Sequence, residues 1–186
     1  FFAQKISLVT ADIGRHIKNG EIILSTKKAI DTNYYSYTQP DFKVINHHWL
    51  SGVVFYIVYR AVEFNGLSIF FILLSGLTVF IFFILAKRNS NFYIALFLTL
   101  ITLPLLSYRR EVRPEGFSYL FMAIDYYILF LHFEGKLSSK KVLLFLSFVQ
   151  LLWVNLHIFF ILGPFLVGVF ILHNLVVSRD GKRLKT

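Results

Sequence analysis

The sequence contains no cysteine, which excludes disulfide bonds and thiol chemistry. It also has few acidic residues, ten against 19 Lys and Arg, and it shows no internal repeat and no low-complexity segment. It does not begin with the charged and apolar regions of a signal peptide. We expect it to be a fragment of a longer chain, in which Phe1 and Phe2 are the remnant of a preceding transmembrane helix.

The chain is rich in long apolar segments. Hydrophobic residues make up 56% of its 186 residues, and 22 residues are Phe, whereas a soluble domain is about 45–50% apolar. The apolar runs approach the roughly 20 residues that a helix needs to cross a bilayer. The predicted fold class is therefore an all-α, polytopic membrane helical bundle.

The apolar segments predict about five transmembrane helices. Three of them are 67–86, 92–107 and 117–133. The last apolar stretch, 142–177, is too long for one span. The sequence WVNLH at 153–157 is expected to divide it into two helices joined by a tight turn.

The segment 49–64 is apolar, but it is short and contains charged residues. We interpret it as a helix on the membrane surface, with a short span as the alternative. The predicted organisation is an extracytoplasmic loop with juxtamembrane helices in 1–66, a transmembrane bundle in 67–178 and a basic tail in 179–186.

Basic residues predict the orientation in the membrane. Two, three and four Lys or Arg lie in 87–91, in 134–141 and in the tail, and the side that carries them is expected to be cytoplasmic. The 1–66 region, the 108–116 loop and the turn at Asn155 then face outwards. If the predicted surface helix crossed the membrane instead, the N-terminal region would lie in the cytoplasm. The net charge of +9 follows the same bias, so nucleic acid is not an expected partner.

The motif DIGRH contains Asp12 and His16 four positions apart. A helix over ADIGRHIKNGEII, ended by Gly20, would put both side chains on one face. A carboxylate beside an imidazole orients a nucleophile or binds a metal ion. The alternative is a solvated helix face with a weak ion pair.

The TNYYSYTQPDF segment that follows predicts an ordered loop.

The motif NHHWL contains the only adjacent histidine pair, His47 and His48. Imidazoles here offer metal ligands or a phosphate contact. The alternative is an interfacial loop that precedes an aromatic anchor at Trp49.

The loop YRREVRPEG at 108–116 holds a cluster of positive charge on the predicted outer side. Its arginines are Arg109, Arg110 and Arg113. Such a cluster runs against the inside bias and fits bidentate phosphate binding. The alternative is a solvated loop that its own glutamates balance.

Three further polar residues interrupt apolar sequence. Asp125 lies within a predicted span, where a structural hydrogen-bonding role is expected because a charge in lipid is costly. Asn155 and His157 lie at the predicted turn of WVNLH, where they either cap the turn or point into an outer-face site.

In order along the chain, DIGRHIKNGEII, SYTQPDFKVINHHWLS, RPEGFSYLF and LLWVNLHIFFILG resemble motifs of bacterial multi-pass glycosyltransferases of the GT-C class. That group includes protein mannosyltransferases and the aminoarabinose transferase of lipid A, and the resemblance covers nearly the whole chain. It implies a large outer loop with surface helices and a sugar donor linked to a polyprenyl phosphate.

By this resemblance Asp12 is the catalytic carboxylate, which deprotonates or orients the acceptor hydroxyl while a lipid phosphate leaves. The substrate-binding residues are His16, His47, His48, Arg109, Arg110, Arg113, Glu115, Asn155 and His157. The implied partners are the lipid-linked donor and membrane lipids. The implied location is a bacterial cell membrane, with the N-terminal loop outside and the C-terminal tail in the cytoplasm.

The chain departs from the family pattern at three places. Asn33 and Tyr34 stand where Asp-Pro is common, and His48 stands where Glu is common. No second acidic residue lies two positions from Asp12, so the paired-acid metal motif of many GT-C enzymes is missing. A divalent metal cofactor is left open.

Two other functions are alternatives to glycosyl transfer. One is a transporter or lipid flippase, which Asp125 favours and the lack of internal repeats disfavours. The other is a non-catalytic membrane scaffold.

Overall fold

The computed structural model describes residues 12–107 and 111–179, with side chains for 12–105 and 111–176. The predicted phosphate-binding residues Arg109 and Arg110 lie outside the described residues. So do the N-terminal remnant and the tail beyond Arg179.

The described part of the chain forms an all-α bundle, as predicted. Its helices are α1 (Ile13–Thr26), α2 (Trp49–Asn89), α3 (Phe92–Ser107), α4 (Glu115–Phe133), α5 (Ser139–Leu156) and α6 (Leu162–Arg179), with a 3-10 turn at Ile158–Ile161. Within the described residues, four helical stretches are long and apolar enough to cross a membrane, and α3 is an apolar but shorter helix. The about five predicted spans therefore correspond to four long helices and a short one.

Helix α1 packs against the first part of α2. Its buried residues recur at helical spacing: Ile13, His16, Asn19, Gly20 and Ile23. The predicted stop at Gly20 is wrong, because the helix continues to Thr26. Gly20 has a packing role instead: a Cβ there would overlap the carbonyl oxygen of Gly52. A Cβ on Gly52 would likewise lie 2.8 Å from the carbonyl oxygen of His16, so the two backbones are in direct contact.

Helix α2 consists of two parts separated by a break at Val62 and Glu63, where the backbone leaves helical geometry. The break lies close to the predicted boundary between the surface helix and the first span. The ring of Phe117 in α4 lies 5.9 Å from Phe55 of the first part and 6.0 Å from Phe70 of the second. Both parts of α2 therefore contact the start of α4.

Glu63 is strained, with φ 54° and ψ −150°, a conformation that is essentially restricted to glycine. We expect Glu63→Gly to raise the free energy of unfolding by about 1 kcal/mol, because strain of this kind costs about 1–3 kcal/mol. The matched control is Ala61→Gly, which lies in the preceding turn of helix and should lower stability by about 0.5–1 kcal/mol. Unfolding in detergent micelles measures both. Equal destabilisation by the two variants would contradict the break at Glu63.

The predicted turn at WVNLH is confirmed. Helix α5 ends at Leu156, His157 is extended with φ −159° and ψ 147°, and the 3-10 turn leads directly into α6. This reversal brings the end of α5 and the start of α6 to the same end of the bundle as the start of α4.

The loops 87–91 and 134–141 meet at the opposite end, as the grouping of basic residues predicted. Arg88 Nη2 lies 2.9 Å from Glu134 Oε2, and Lys136 Nζ lies 2.8 Å from the same oxygen. One carboxylate thus joins the two basic loops at this end of the bundle.

The ordered loop predicted between α1 and α2 is present. Thr32 and Lys43 form an isolated antiparallel bridge. The hydroxyl of Tyr35 donates a hydrogen bond of 2.5 Å to Asn19 Oδ1 and so ties the loop to α1.

Candidate functional site

The histidines of two predicted motifs come together between α1 and α2. His16 lies on the buried face of α1 and is 3% exposed. Its ring centroid is 5.0 Å from that of His48, which precedes α2, and 6.0 Å from that of Phe55. The close contact of Gly20 with Gly52 permits this approach, since it allows α1 to lie directly on α2.

His48 is fixed by the start of α2. The hydroxyl of Ser51 donates a 2.7 Å hydrogen bond to the carbonyl oxygen of His48. The ring of His47 lies 6.0 Å from that of His48, but His47 is exposed. The adjacent pair therefore consists of one half-buried imidazole that faces His16 and one imidazole open to the surroundings.

Both inner histidines are neutral at physiological pH. The pKa of His16 is lowered to about 3, chiefly by burial and then by the neighbouring His48 and Arg15, against the opposing effect of Asp12. Burial, Arg15 and His47 also lower the pKa of His48. The site thus combines neutral imidazoles with the cationic guanidinium groups of Arg15 and Arg113, a combination that can hydrogen-bond to an anion.

Asp12 lies at the entrance to this site, directly before α1. It is exposed, and its Oδ2 forms an ion pair of 3.2 Å with Nη2 of Arg15. Arg15 is a residue that the sequence reasoning passed over, although its i, i+3 spacing from Asp12 was a usable signal. The carboxylate acts electrostatically on both His16 and His48.

The loop before α4 contributes the next residues of the site. Arg113 Nε lies 2.5 Å from Glu111 Oε2, and both side chains are about one-third exposed. Arg113 lies close enough to His16 to lower its pKa. Glu115 begins α4 and raises the pKa of His157, which burial lowers overall.

The turn between α5 and α6 completes the site. The indole N–H of Trp49 donates a 2.8 Å hydrogen bond to Oδ1 of Asn155. His157 is close enough to His48 to affect its pKa. Asn155 thus holds the start of α2 against the end of α5, a role that the sequence reasoning did not include, and His157 lies beside the histidine cluster.

Nδ1 of His16 and Nδ1 of His48 are buried and have no hydrogen-bond partner among the residues that the structure describes. Buried polar atoms are almost always satisfied by protein, water or ligand. These two nitrogens are therefore available for a bound group. Within 12–107 and 111–179, no three His, Asp or Glu side chains are arranged to hold one metal ion.

Asp125 lies apart from this cluster, within α4, and is 2% exposed. A Cβ on Gly163 of α6 would lie 3.1 Å from Asp125 Oδ2 and 2.5 Å from Gln150 Oε1. Asp125 Oδ1 has no hydrogen-bond partner in the described part of the chain. The glycine thus lets α6 approach the carboxyl group of α4.

Besides Arg15, the sequence reasoning missed two buried residues of the site. Ser118 and Trp153 are both buried and hydrogen-bonded to each other, and Ser118 is also bonded to His157. No spacing in the sequence relates them, because they meet only through the packing of α4 on α5.

Neither protein-family models, curated proteins nor solved structures give a match to this chain. The site must therefore be interpreted from its own geometry and chemistry.

Proposed function

We propose that this protein is a membrane glycosyltransferase that transfers a sugar from a polyprenyl-phosphate-linked donor to an acceptor at the extracytoplasmic face. The observation that carries the proposal is the cluster at one end of an apolar bundle. It joins the carboxylate Asp12, the neutral pair His16 and His48, and the cations Arg15 and Arg113. A lipid-linked phosphate presents its anionic head at such a position.

The proposed reaction needs a general base for the acceptor hydroxyl and a site that stabilises the leaving phosphate. Asp12 removes the proton of the acceptor hydroxyl, whose oxygen forms a bond to the anomeric carbon of the sugar. The bond from that carbon to the phosphate oxygen breaks, and the electron pair leaves with the lipid phosphate. Arg113 stabilises the developing negative charge together with Nδ1 of His16 and Nδ1 of His48, which have no hydrogen-bond partner among the described residues.

The orientation proposed for the chain follows from the two ends of the bundle. The end that carries Arg88 and Lys136 would face the cytoplasm, because Lys and Arg are enriched in cytoplasmic loops. The end that carries His16, His48 and His157 would then face outwards together with the N-terminal loop. In GT-C enzymes, which the motifs resemble, polyprenyl-phosphate sugars are used on that side.

The test is sugar transfer in membrane vesicles supplied with radiolabelled polyprenyl-phosphate sugars. We expect Asp12→Asn to reduce transfer by about 10²- to 10⁴-fold, the usual contribution of a general base. Asp41→Asn is the matched control, since it neutralises an exposed carboxylate of the loop between α1 and α2 and should retain activity.

The other possible outcomes of this assay would support different conclusions. Equal transfer by the wild type, Asp12→Asn and Asp41→Asn would remove Asp12 from the chemistry. No transfer by any of them, across several donors, would favour transport or scaffolding. Labelled lipid that moves between leaflets without sugar transfer would identify a flippase.

A further inference from the structure

Three buried side chains connect the core of the bundle to the candidate site. Nε1 of Trp153 lies 2.7 Å from Ser118 Oγ, and Ser118 Oγ lies 2.8 Å from Nδ1 of His157. Trp153 is 0% exposed, Ser118 1% and His157 7%. The three groups therefore exchange hydrogen bonds with one another in place of water.

The direction of these hydrogen bonds follows from the chemistry of the groups. An indole N–H only donates, so Trp153 occupies a lone pair of the Ser118 oxygen. The hydroxyl of Ser118 then has its one proton to donate, and Nδ1 of His157 is its acceptor among the described residues. If Nδ1 carried a proton instead, the buried hydroxyl proton of Ser118 would have no acceptor there, which is costly.

We propose that Trp153 and Ser118 are positioning residues that hold His157 as the neutral tautomer with its proton on Nε2. His157 is then a hydrogen-bond donor through Nε2, and it does not act as a base at that atom. The order of donation is Trp153 to Ser118 to His157.

The surroundings of His157 agree with a neutral ring. The groups that face it are Glu115 at the start of α4, which raises its pKa, and His48 before α2. Burial outweighs the carboxylate and lowers the pKa of His157. On its own segment the aromatic ring of Phe159 lies edge-to-face with it, with centroids 4.6 Å apart. The His157 ring thus stays neutral even though the carboxylate of Glu115 raises its pKa.

The ligand part of this inference rests on the proposed function. A fixed Nε2–H is a hydrogen-bond donor, and the phosphate of the lipid-linked donor supplies an oxygen acceptor for it. His157 would then donate to a phosphate oxygen while Arg113 supplies the positive charge. The tautomer itself does not depend on what the protein transfers.

The first experiment measures the tautomer by 15N NMR on the protein with 15N-labelled histidine, in lipid nanodiscs at pH 7. The His157 signals are assigned by their loss in His157→Gln. We expect a neutral ring protonated on Nε2. A ring protonated on Nδ1, or a cationic ring, would overturn the proposal. Because this measurement uses the wild type, it does not depend on the folding of any variant.

Ser118 variants test whether the serine sets the tautomer. Ser118→Ala should give a mixture of the two neutral tautomers, because the hydroxyl donor is gone. Ser118→Thr keeps the hydroxyl and should retain the wild-type pattern. A pure Nε2-protonated ring in Ser118→Ala would contradict a positioning role for Ser118 and Trp153.

Sugar transfer tests the contact with the ligand. The amide N–H of Gln at position 157 lies near the place of Nε2, whereas that of Asn lies near the place of Nδ1. We expect both variants to lose transfer, with His157→Asn about tenfold or more below His157→Gln. Equal losses would overturn the donor role of Nε2. A wild type without any transfer would refute the proposed function and the ligand contact, but the NMR result would still decide the tautomer.

Discussion

Replacing Gly20 with alanine is expected to lower the free energy of unfolding by about 3 kcal/mol. The new methyl group would overlap the carbonyl oxygen of Gly52 and would lie 2.8 Å from Cβ of Tyr56. Backbone atoms cannot rotate away, so α1 has to move off α2, at the upper end of the usual 1–3 kcal/mol for overpacking. Thermal or denaturant unfolding in detergent micelles measures the loss.

Gly14→Ala is the matched control in the same helix. Gly14 is exposed, and a Cβ there would meet nothing within 4 Å. The substitution should therefore be neutral or stabilise the protein by up to about 1 kcal/mol, through helix propensity alone. If Gly20→Ala were as stable as Gly14→Ala, the packing of α1 on α2 described above would be refuted.

The second large effect is a loss of stability on acidification. His16 has a pKa of about 3 in the folded protein and 6.5 as its ordinary value. The unfolded state therefore binds more protons than the folded state between these two values, and stability falls as the pH falls through that window. From pH 7.5 to pH 5, His16 alone should reduce the free energy of unfolding by about 2 kcal/mol. Burial lowers the pKa of His48 and His157 as well, so they act in the same direction.

Unfolding measured at several pH values in a buffered detergent tests this effect. His16→Gln should flatten the dependence on pH between 7.5 and 5, whatever its effect on stability at pH 7.5. The control Ile13→Val removes a methylene from a fully buried side chain of the same helix and should cost about 1 kcal/mol at every pH. A His16→Gln protein with the slope of the wild type would show that His16 is not the titrating group.

The helices of the bundle were predictable because apolar run length is a local property. The turn at 153–157 also followed from local sequence, since the polar Asn155 and His157 interrupt an apolar stretch too long for one span. Local composition determines where a membrane helix begins and ends to within a few residues.

The packing role of Gly20 was not predictable from local sequence. A local pattern assigned Gly20 to the end of a helix, but its neighbour is Gly52, which lies in a different helix. A contact between two helices decides this case, and the sequence around Gly20 carries no sign of it.

The candidate site was partly predictable. The motifs around Asp12, His16 and His48 pointed to residues that the structure brings together, because each motif is polar within a mostly apolar chain. Ser118 gave no such signal, since a serine in an apolar helix is common and its partners are 35 and 39 residues away in sequence.

The break in α2 shortens the distance that this long helix spans. A straight helix of 41 residues would measure about 60 Å, twice the roughly 30 Å of bilayer hydrocarbon. Trp49, at one tip of such a rod, would stand far out in water, yet its indole is bonded to Asn155 at the end of a neighbouring span. The bend at Val62 and Glu63 thus shortens the reach of α2, which keeps Trp49 and the adjoining His48 beside the turn that contains Asn155.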